Sequence, residues 1–396
     1  MIQVTREELK SGMVLAKSIY RDNGELLLAS GYPVDDKLKN RLCELDLPTY
    51  WIHEKDTELI VPVELLNEQI AFQSVNILAK NHDLIKKVAD TKSLTQENVN
   101  KLFKERNRFH SILLTEKIKQ TVCDILDDLL CKNTCILNLN TIHSRSSYSY
   151  THALDTTLTA ILLAQKLQWN RMEIEEMALG CLMMDMGMAV MPPVLLEKKG
   201  DLTFQEFTLL KEHTTYGFLI LRENTELALT SAHVAFQHHE RQDGTGYPRR
   251  LLGDNNLPQR KVNQNKRYIH RYAEVVAVAD TYVSLIAPKP GSEKAQSPDE
   301  AIRSLIEKAG TQLNRTLVDQ LITLIPLFPV GTRVVVIEDK KYNLVGYTGI
   351  VARYRHEVPD KPAVMLTSNR KKEKISGLMI DLLEEPGIKI QFVVLS

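Results

Sequence analysis

Histidine and aspartate are the residues of this chain whose types and surroundings suit chemistry. Seven of the eleven histidines lie between His143 and His270. Four stand out by context: His152, His213, His238 and His239. Two aspartates, Asp185 and Asp280, are embedded in runs of apolar residues. An unpaired carboxylate in an apolar helix would cost several kcal/mol, so we expect each to meet a cation. Neutral imidazoles together with carboxylates suit divalent transition metals such as Fe or Mn.

Each of these residues also has a structural interpretation. A lone histidine on an apolar helix is usually a core residue with its hydrogen bonds satisfied. The adjacent pair His238-His239 is more suggestive but still a weak signal. Composition and spacing alone therefore predict a helical protein and leave the metal site open.

One segment of eleven residues carries a far more specific pattern. It reads His-His-Glu-Arg-Gln-Asp-Gly-Thr-Gly-Tyr-Pro, from His238 to Pro248. It resembles the signature of HD-GYP domains, His-His-Glu-x-x-Asp-Gly-x-Gly-Tyr-Pro, with every fixed residue in place. The resemblance extends over about residues 145–328, and it includes the segments that contain His152, Asp185, His213 and Asp280. The five matching segments are 150–152, 182–192, 195–203, 211–217 and 278–280.

The resemblance implies a fold, an activity and a cofactor. HD-GYP domains hydrolyse the bacterial second messenger cyclic di-GMP with divalent ions, commonly Fe or Mn, and we expect one or two such ions here. His152 and Asp280 would hold one ion. His213, His238 and His239 would hold the second, and Asp185 would bridge the two as the catalytic residue. The resemblance assigns substrate contacts to four further residues: Asp243, Gly244, Tyr247 and Lys289.

The chain departs from the family pattern at several site positions. Met184 replaces the histidine of the His-Asp pair, and a thioether is a poor ligand for Fe or Mn. Met188 replaces the lysine expected to touch phosphate, and Val283 replaces a second aspartate. Tyr148 lies where members with a third metal carry Glu. Of the later Arg-Pro-Tyr-Arg segment, Lys289 and Pro290 keep a trace of the pattern.

Three functions stay open on these grounds. The first is a metal-dependent phosphodiesterase with weakened activity. The second is a degenerate family member that binds without turnover, either by sensing the nucleotide or by docking signalling proteins through the Gly244–Pro248 loop. The third alternative is a scaffold whose metal only staples helices. Five basic residues could reach a phosphate in place of the missing lysine, although a solvated loop is the favoured interpretation: Arg260, Lys261, Lys266, Arg267 and Arg271.

The composition argues against some classes of binding partner and indicates a cellular compartment. Lys+Arg and Asp+Glu both total 50, so the formal net charge is zero, which argues against a protein that coats a nucleic acid polymer or an anionic membrane. The five cysteines form no Cys-x-x-Cys pair, and neither a signal sequence nor an apolar stretch long enough for a membrane span is found. The expected compartment is the cytoplasm.

The predicted fold class is mainly α. An all-helical HD-type phosphodiesterase domain (133–328) is flanked by a small N-terminal α/β module (1–62) and a small C-terminal β domain (329–396). A helical connector (63–132), interpreted as a scaffold or homodimerising segment and broken near Asp90–Ser93, precedes the helical domain. Helices are expected over 204–221, 225–240, 271–285 and 298–309.

Overall fold

Helices outnumber strands among the described residues, and the described strands lie in the two end segments of the chain. The computed structural model describes residues 1–5, 8–20, 26–44, 49–53, 60, 65–89, 109–132, 148–196, 198, 200–258, 267–287, 295–355 and 358–393. The predicted fold class, a helical domain flanked by a small α/β segment and a C-terminal β segment, is confirmed.

Contacts divide the chain into two compact units. The first unit contains the end segments, Met1–Leu65 and Ile325–Ser396, and the second contains Leu66–Thr134 and Ser147–Leu324. The connector helices therefore belong to the same unit as the helical domain.

The described residues of the first unit form ten strands and one helix. Its N-terminal elements are β1 (Ile2–Thr5), β2 (Val14–Leu15), β3 (Ile19–Tyr20), β4 (Leu26–Leu28), α1 (Asp36–Glu44) and β5 (Thr49–His53). Its C-terminal strands are β6 (Arg333–Glu338), β7 (Thr348–Arg355), β8 (Val358–Ser368), β9 (Lys374–Asp381) and β10 (Lys389–Phe392). The sheet orders are β1-β5-β2, β3-β4 and β10-β6-β7-β8-β9, and every pairing is antiparallel.

One hydrophobic core joins the two end segments. Leu9, Leu15 and Tyr50 of the N-terminal part pack in the same buried cluster as Ile350 and Met365 of the C-terminal sheet. Small modules bury too little surface to be stable alone, so sharing a core stabilises both. The sequence pattern did not reveal this pairing, because each segment's periodicity reports its own buried face and not the partner of that face.

The second unit contains eleven α-helices and a 3₁₀ helix among the described residues. They are α2 (Glu68–Ala89), α3 (Thr115–Lys132), α4 (Tyr148–Lys166), α5 (Arg171–Leu182), the 3₁₀ helix (Met186–Val190), α6 (Pro193–Leu196), α7 (Phe204–Lys211), α8 (His213–Arg222), α9 (Leu229–Gln237), α10 (Arg271–Ile286), α11 (Pro298–Lys308) and α12 (Arg315–Ile322). Local signals set several starts: Asn170 and Ser297 each close a capping box, and Pro298 occupies the first turn of α11.

Helix α4 is central to this unit. Every residue from Thr151 to Ala164 is buried, which is the pattern of a helix covered on all sides. It packs against α5 and α10. Two of its buried hydroxyls donate within the helix: that of Thr157 to the carbonyl of Ala153 at 2.7 Å and that of Thr159 to the carbonyl of Asp155 at 2.8 Å.

The segment predicted as one helix over 204–221 is two helices. Helix α7 ends at Lys211 and α8 begins at His213. The His213 ring donates to the Leu210 carbonyl at 2.7 Å, and the Thr214 hydroxyl donates to the Lys211 carbonyl at 2.9 Å. These side chains take carbonyls that a continuous helix would pair with backbone N–H groups, so the helix breaks there.

Strand β9 was not predicted. It is an edge strand in which most side chains are exposed, so it lacks the apolar alternation on which the sequence prediction relied. No helix in the described part of the chain is both long and apolar enough to cross a membrane.

A close approach between α5 and α9 gives a stability prediction. A Cβ at Gly180 would lie 2.4 Å from the Ser231 carbonyl oxygen, so Gly180→Ala must push the two helices apart. We expect a loss of about 1–3 kcal/mol in the free energy of unfolding, measured by urea titration. The matched control is Gly217→Ala, since a Cβ at that helical glycine meets nothing closer than 3.4 Å. The control should be neutral or stabilising by up to about 1 kcal/mol, and equal losses in both variants would contradict this packing account.

Candidate metal centre

The six predicted metal-site residues lie at helix ends and inside two buried helices of the second unit. His152 lies on α4 and Asp280 on α10. Asp185 directly precedes the 3₁₀ helix, His213 begins α8, and the pair His238-His239 follows the last residue of α9.

The 3₁₀ helix packs directly on the start of α8. A Cβ at Gly187 would lie 1.9 Å from the carbonyl oxygen of His213. No side chain fits there, so the glycine allows the turn that carries Asp185 to approach His213. The nearer Asp185 carboxylate oxygen lies 3.5 Å from Nε2 of His213 and 3.8 Å from Nε2 of His238.

Backbone carbonyls orient two of the imidazoles. Nδ1 of His213 lies 2.7 Å from the Leu210 carbonyl oxygen. Nδ1 of His238 lies 3.0 Å from the carbonyl oxygen of Ala235. A carbonyl only accepts, so Nδ1 carries the proton in both rings and Nε2 presents a lone pair.

The Nε2 atoms of His213 and His238 are buried and have no hydrogen-bond partner. Ligand atoms of His213, His238 and His239 all lie within 4.8 Å of one another. A metal–imidazole bond is about 2.0–2.1 Å long, so nitrogens across one ion are about 4 Å apart at most. A small contraction would therefore bring all three nitrogens onto one cation, and the donor set fits a borderline divalent metal.

Burial favours the neutral form of His213 and His239. It lowers the pKa of His213, and it lowers the pKa of His239 well below the ordinary value of 6.5. Neighbouring imidazoles lower the pKa of His239 further, whereas the charge of Asp280 acts the other way. Neutral imidazole is the form that binds a metal, so these rings need lose no proton near pH 7.

His152 and Asp280 form a second group. Nε2 of His152 lies 2.7 Å from a carboxylate oxygen of Asp280. Burial acts to raise the pKa of Asp280, but the hydrogen bond and charge of His152 outweigh it and hold that pKa well below its usual range. Burial likewise acts to lower the pKa of His152, and Asp280 reverses the direction. Two residues expected to share a metal thus bind each other, and Nδ1 of His152 is buried without a hydrogen-bond partner.

The two methionines occupy the places where ligands are missing. Met184 is 1% exposed and belongs to the apolar core, while Met188 is half-buried. Neither side chain supplies a charge or a hard ligand atom. The pair His152–Asp280 therefore lacks the third protein ligand that the family pattern places at position 184.

Of the predicted substrate residues in the signature loop, Asp243 and Gly244 shape a turn, whereas Tyr247 contacts a predicted metal ligand. Asp243 accepts hydrogen bonds from the backbone and hydroxyl of Thr245 at 2.9 and 2.6 Å, so its carboxylate closes the loop turn. Gly244 lies in that turn with φ of 76°. The Tyr247 ring lies against His239, with centroids 4.9 Å apart. Lys289 lies outside the described residues.

Part of the chain is similar to known proteins. Residues 136–317 match the family model for the HD domain. This segment has the HD-domain fold. Cyclic di-GMP phosphodiesterases of Thermotoga maritima and Pseudomonas aeruginosa are similar to the chain: the first is 28% identical over 214 residues, and the second is 27% identical over 220 residues.

The alignments cover only part of each relative. They span 54% of this chain and 54% of the Thermotoga protein, and 56% of this chain and 50% of the Pseudomonas protein. A 3′3′-cGAMP-specific phosphodiesterase of Vibrio cholerae is 29% identical over 185 residues, which are 46% of this chain and 33% of that protein. The chain thus spans about half the length, or less, of these relatives.

Buried polar residues that we did not predict anchor the signature loop of the HD domain. The Glu240 carboxylate accepts from the backbone N–H groups of Arg249 at 2.7 Å and Leu251 at 2.8 Å. The Glu274 carboxylate accepts from Gln242 at 2.7 Å and from Asn314 at 3.2 Å. The sequence signal for Glu274 was an acidic residue inside an apolar helix, the same signal that singled out Asp280.

Arg271, one of the basic residues considered as a phosphate contact, is already engaged within the protein. Its guanidinium pairs with Glu173 at 2.9 Å and lies over the rings of Trp169 and Tyr272. Arg271 is therefore engaged in packing within the HD domain. Three of the other basic residues, Arg260, Lys261 and Lys266, lie outside the described residues.

Glu274 should make stability depend on pH. Burial raises its pKa to about 7 from the usual 4.5, more than the hydrogen bonds from Gln242 and Asn314 lower it. The folded state then holds the proton more tightly than the unfolded state, so this contribution to stability is full below about pH 4.5 and is lost as the pH rises through 7. Between about pH 5 and pH 8 the free energy of unfolding should fall by about 2 kcal/mol more than in Glu274→Gln.

The measurement is a urea titration at each pH, with Glu307→Gln, an exposed glutamate of α11, as the control. Its pH profile should match the parent protein. Identical profiles for the parent and Glu274→Gln would show that the buried carboxyl does not titrate in this range.

Proposed function

We propose that this chain is a metal-dependent phosphodiesterase that opens cyclic di-GMP. The observation that carries the proposal is the pair of buried Nε2 atoms, on His213 and His238, that lack hydrogen-bond partners and face the Asp185 carboxylate. This pair lies beside the signature loop, whose Tyr247 ring packs on His239. Two relatives that align with this chain over about half of their own length are named cyclic di-GMP phosphodiesterases.

Six residues would hold the metal ions. His213, His238 and His239 would bind one divalent ion, Fe or Mn, and His152 with Asp280 would bind a second. Asp185 would bridge the two. Such a pair of ions activates water and stabilises the charge that develops on phosphoryl oxygens.

The protein's own contribution is orientation and protonation state. The carbonyls of Leu210 and Ala235 fix the rings so that lone pairs face inward. Burial keeps the pKa of His239 well below 6.5, so it stays a ligand at neutral pH. The half-buried Asp185 lies at the junction before the 3₁₀ helix, where it faces two histidines at once.

A second candidate function is a nucleotide sensor without turnover. Met184, with 1% exposure, removes one ligand from the His152–Asp280 group, and Met188 removes a cation. Loss of such groups lowers transition-state stabilisation more than it lowers the stability of the fold. Docking of signalling proteins at Gly244–Pro248, and association of two copies through the connector, remain predictions.

The hydrolysis assay distinguishes these functions. Purified protein, reloaded anaerobically with Fe or Mn, should convert cyclic di-GMP to linear product, followed by chromatography. Asp185→Asn should lower kcat by a factor on the order of 10² or more, because it removes the bridging charge. Asp201→Asn, at an exposed aspartate, is the control and should keep the parent rate.

The opposite result is also informative. Protein that contains metal by elemental analysis yet releases no linear product would contradict the enzyme proposal for this substrate. Binding of cyclic di-GMP without turnover would then support the sensor. Turnover of 3′3′-cGAMP alone would keep the phosphodiesterase chemistry and change the substrate.

A further inference from the structure

Helix α7 presents an aromatic and basic face next to the candidate metal centre. Phe204, Phe207 and Lys211 recur at helical spacing and so share one side of α7. Phe204 is 85% exposed and Phe207 is 44% exposed. Large apolar side chains exposed together commonly mark a binding surface.

Lys211 connects this face to the centre. Its ammonium lies 4.5 Å from the centroid of the Phe207 ring and 5.3 Å from that of the Tyr247 ring. The Tyr247 ring in turn lies 4.9 Å from the His239 ring. A continuous row of rings and one cation therefore runs from an exposed helix surface to a predicted metal ligand.

Lys211 is held by rings and not by a carboxylate. Within the part of the chain that the structure describes, no acidic side chain forms an ion pair with Lys211. The carboxylate of Glu206, also on α7, pairs instead with Lys198, which precedes this helix. Contact with aromatic faces positions an ammonium but leaves its three N–H donors for another acceptor. A phosphate oxygen is an acceptor of that kind.

The chemistry of this row matches the two parts of a nucleotide. An ammonium attracts a phosphate as a point charge, and an exposed aromatic ring stacks on a base. The family pattern places a lysine at position 188, where this chain has a methionine, so Lys211 would supply a positive charge that the site otherwise lacks from that position.

We propose that Lys211 binds a phosphate of the cyclic dinucleotide and that Phe207 stacks on one of its purine bases. The proposal rests on the phosphodiesterase or sensor function above, since it concerns the ligand of that site. It makes Lys211 and Phe207 substrate-binding residues that the signature alone does not identify.

The test compares Lys211→Met with Lys211→Arg in the full, metal-loaded chain. The measurements are the Kd of fluorescently labelled cyclic di-GMP, KM and kcat where turnover is present, and metal content. Lys211→Met should raise Kd and KM at least about tenfold while metal content stays at the parent level. Lys211→Arg should return Kd to within about threefold of the parent, because it restores the charge.

Two further variants sharpen the result. Lys117→Met makes the same change at an exposed lysine of α3 and should leave Kd unchanged. Phe207→Leu should raise Kd about fivefold, since it removes a stacking ring. The parent Kd should also rise with added KCl more steeply than that of Lys211→Met, because salt screens the lost contact.

The outcomes separate this proposal from the one on which it rests. A parent protein that binds the nucleotide with a Kd equal to that of Lys211→Met overturns the role of Lys211 alone. A Kd that rises equally in the Met and Arg variants overturns it as well, since that result indicates packing and not charge. A parent protein that neither binds nor cleaves the nucleotide overturns both proposals together.

Discussion

The hydrogen bonds from imidazole Nδ1 to backbone carbonyls are the interactions on which the centre depends. They fix His213 to the end of α7 and His238 to the last turn of α9. Each leaves Nε2 as a buried lone pair without a protein donor. A buried acceptor without a partner is destabilising, and one bound cation would accept the lone pairs of both Nε2 atoms. The helix break between Lys211 and His213 follows from the same hydrogen bond.

The signature loop divides into residues that shape it and residues that face the centre. Glu240 and Asp243 use their carboxylates on backbone N–H groups, and Gln242 is tied to the buried Glu274. Tyr247 is the member that packs on His239. An intact signature therefore predicts a formed loop more directly than it predicts turnover, which depends on ligands elsewhere in the chain.

The sequence predicted the local elements well. The starts of α10 and α11 agree with the structure, because caps and apolar periodicity are local signals. The gathering of His213, His238 and His239 was expected only through the family resemblance, since spacing along the chain does not report distance in space. The shared core of the two end segments, the edge strand β9 and the anchoring role of Glu274 depend on tertiary partners that no local pattern encodes.

The most direct test of the account is diffraction from crystals grown with Mn²⁺, with data collected to locate manganese by its anomalous signal. We expect a peak bonded to Nε2 of His213 and His238 and to His239, with the Nδ1 contacts to Leu210 and Ala235 retained. A weaker second peak between His152, Asp185 and Asp280 would fit the loss of the ligand at position 184. Crystals that show no manganese at the three histidines, or rings turned so that Nδ1 leaves its carbonyl, would contradict the account.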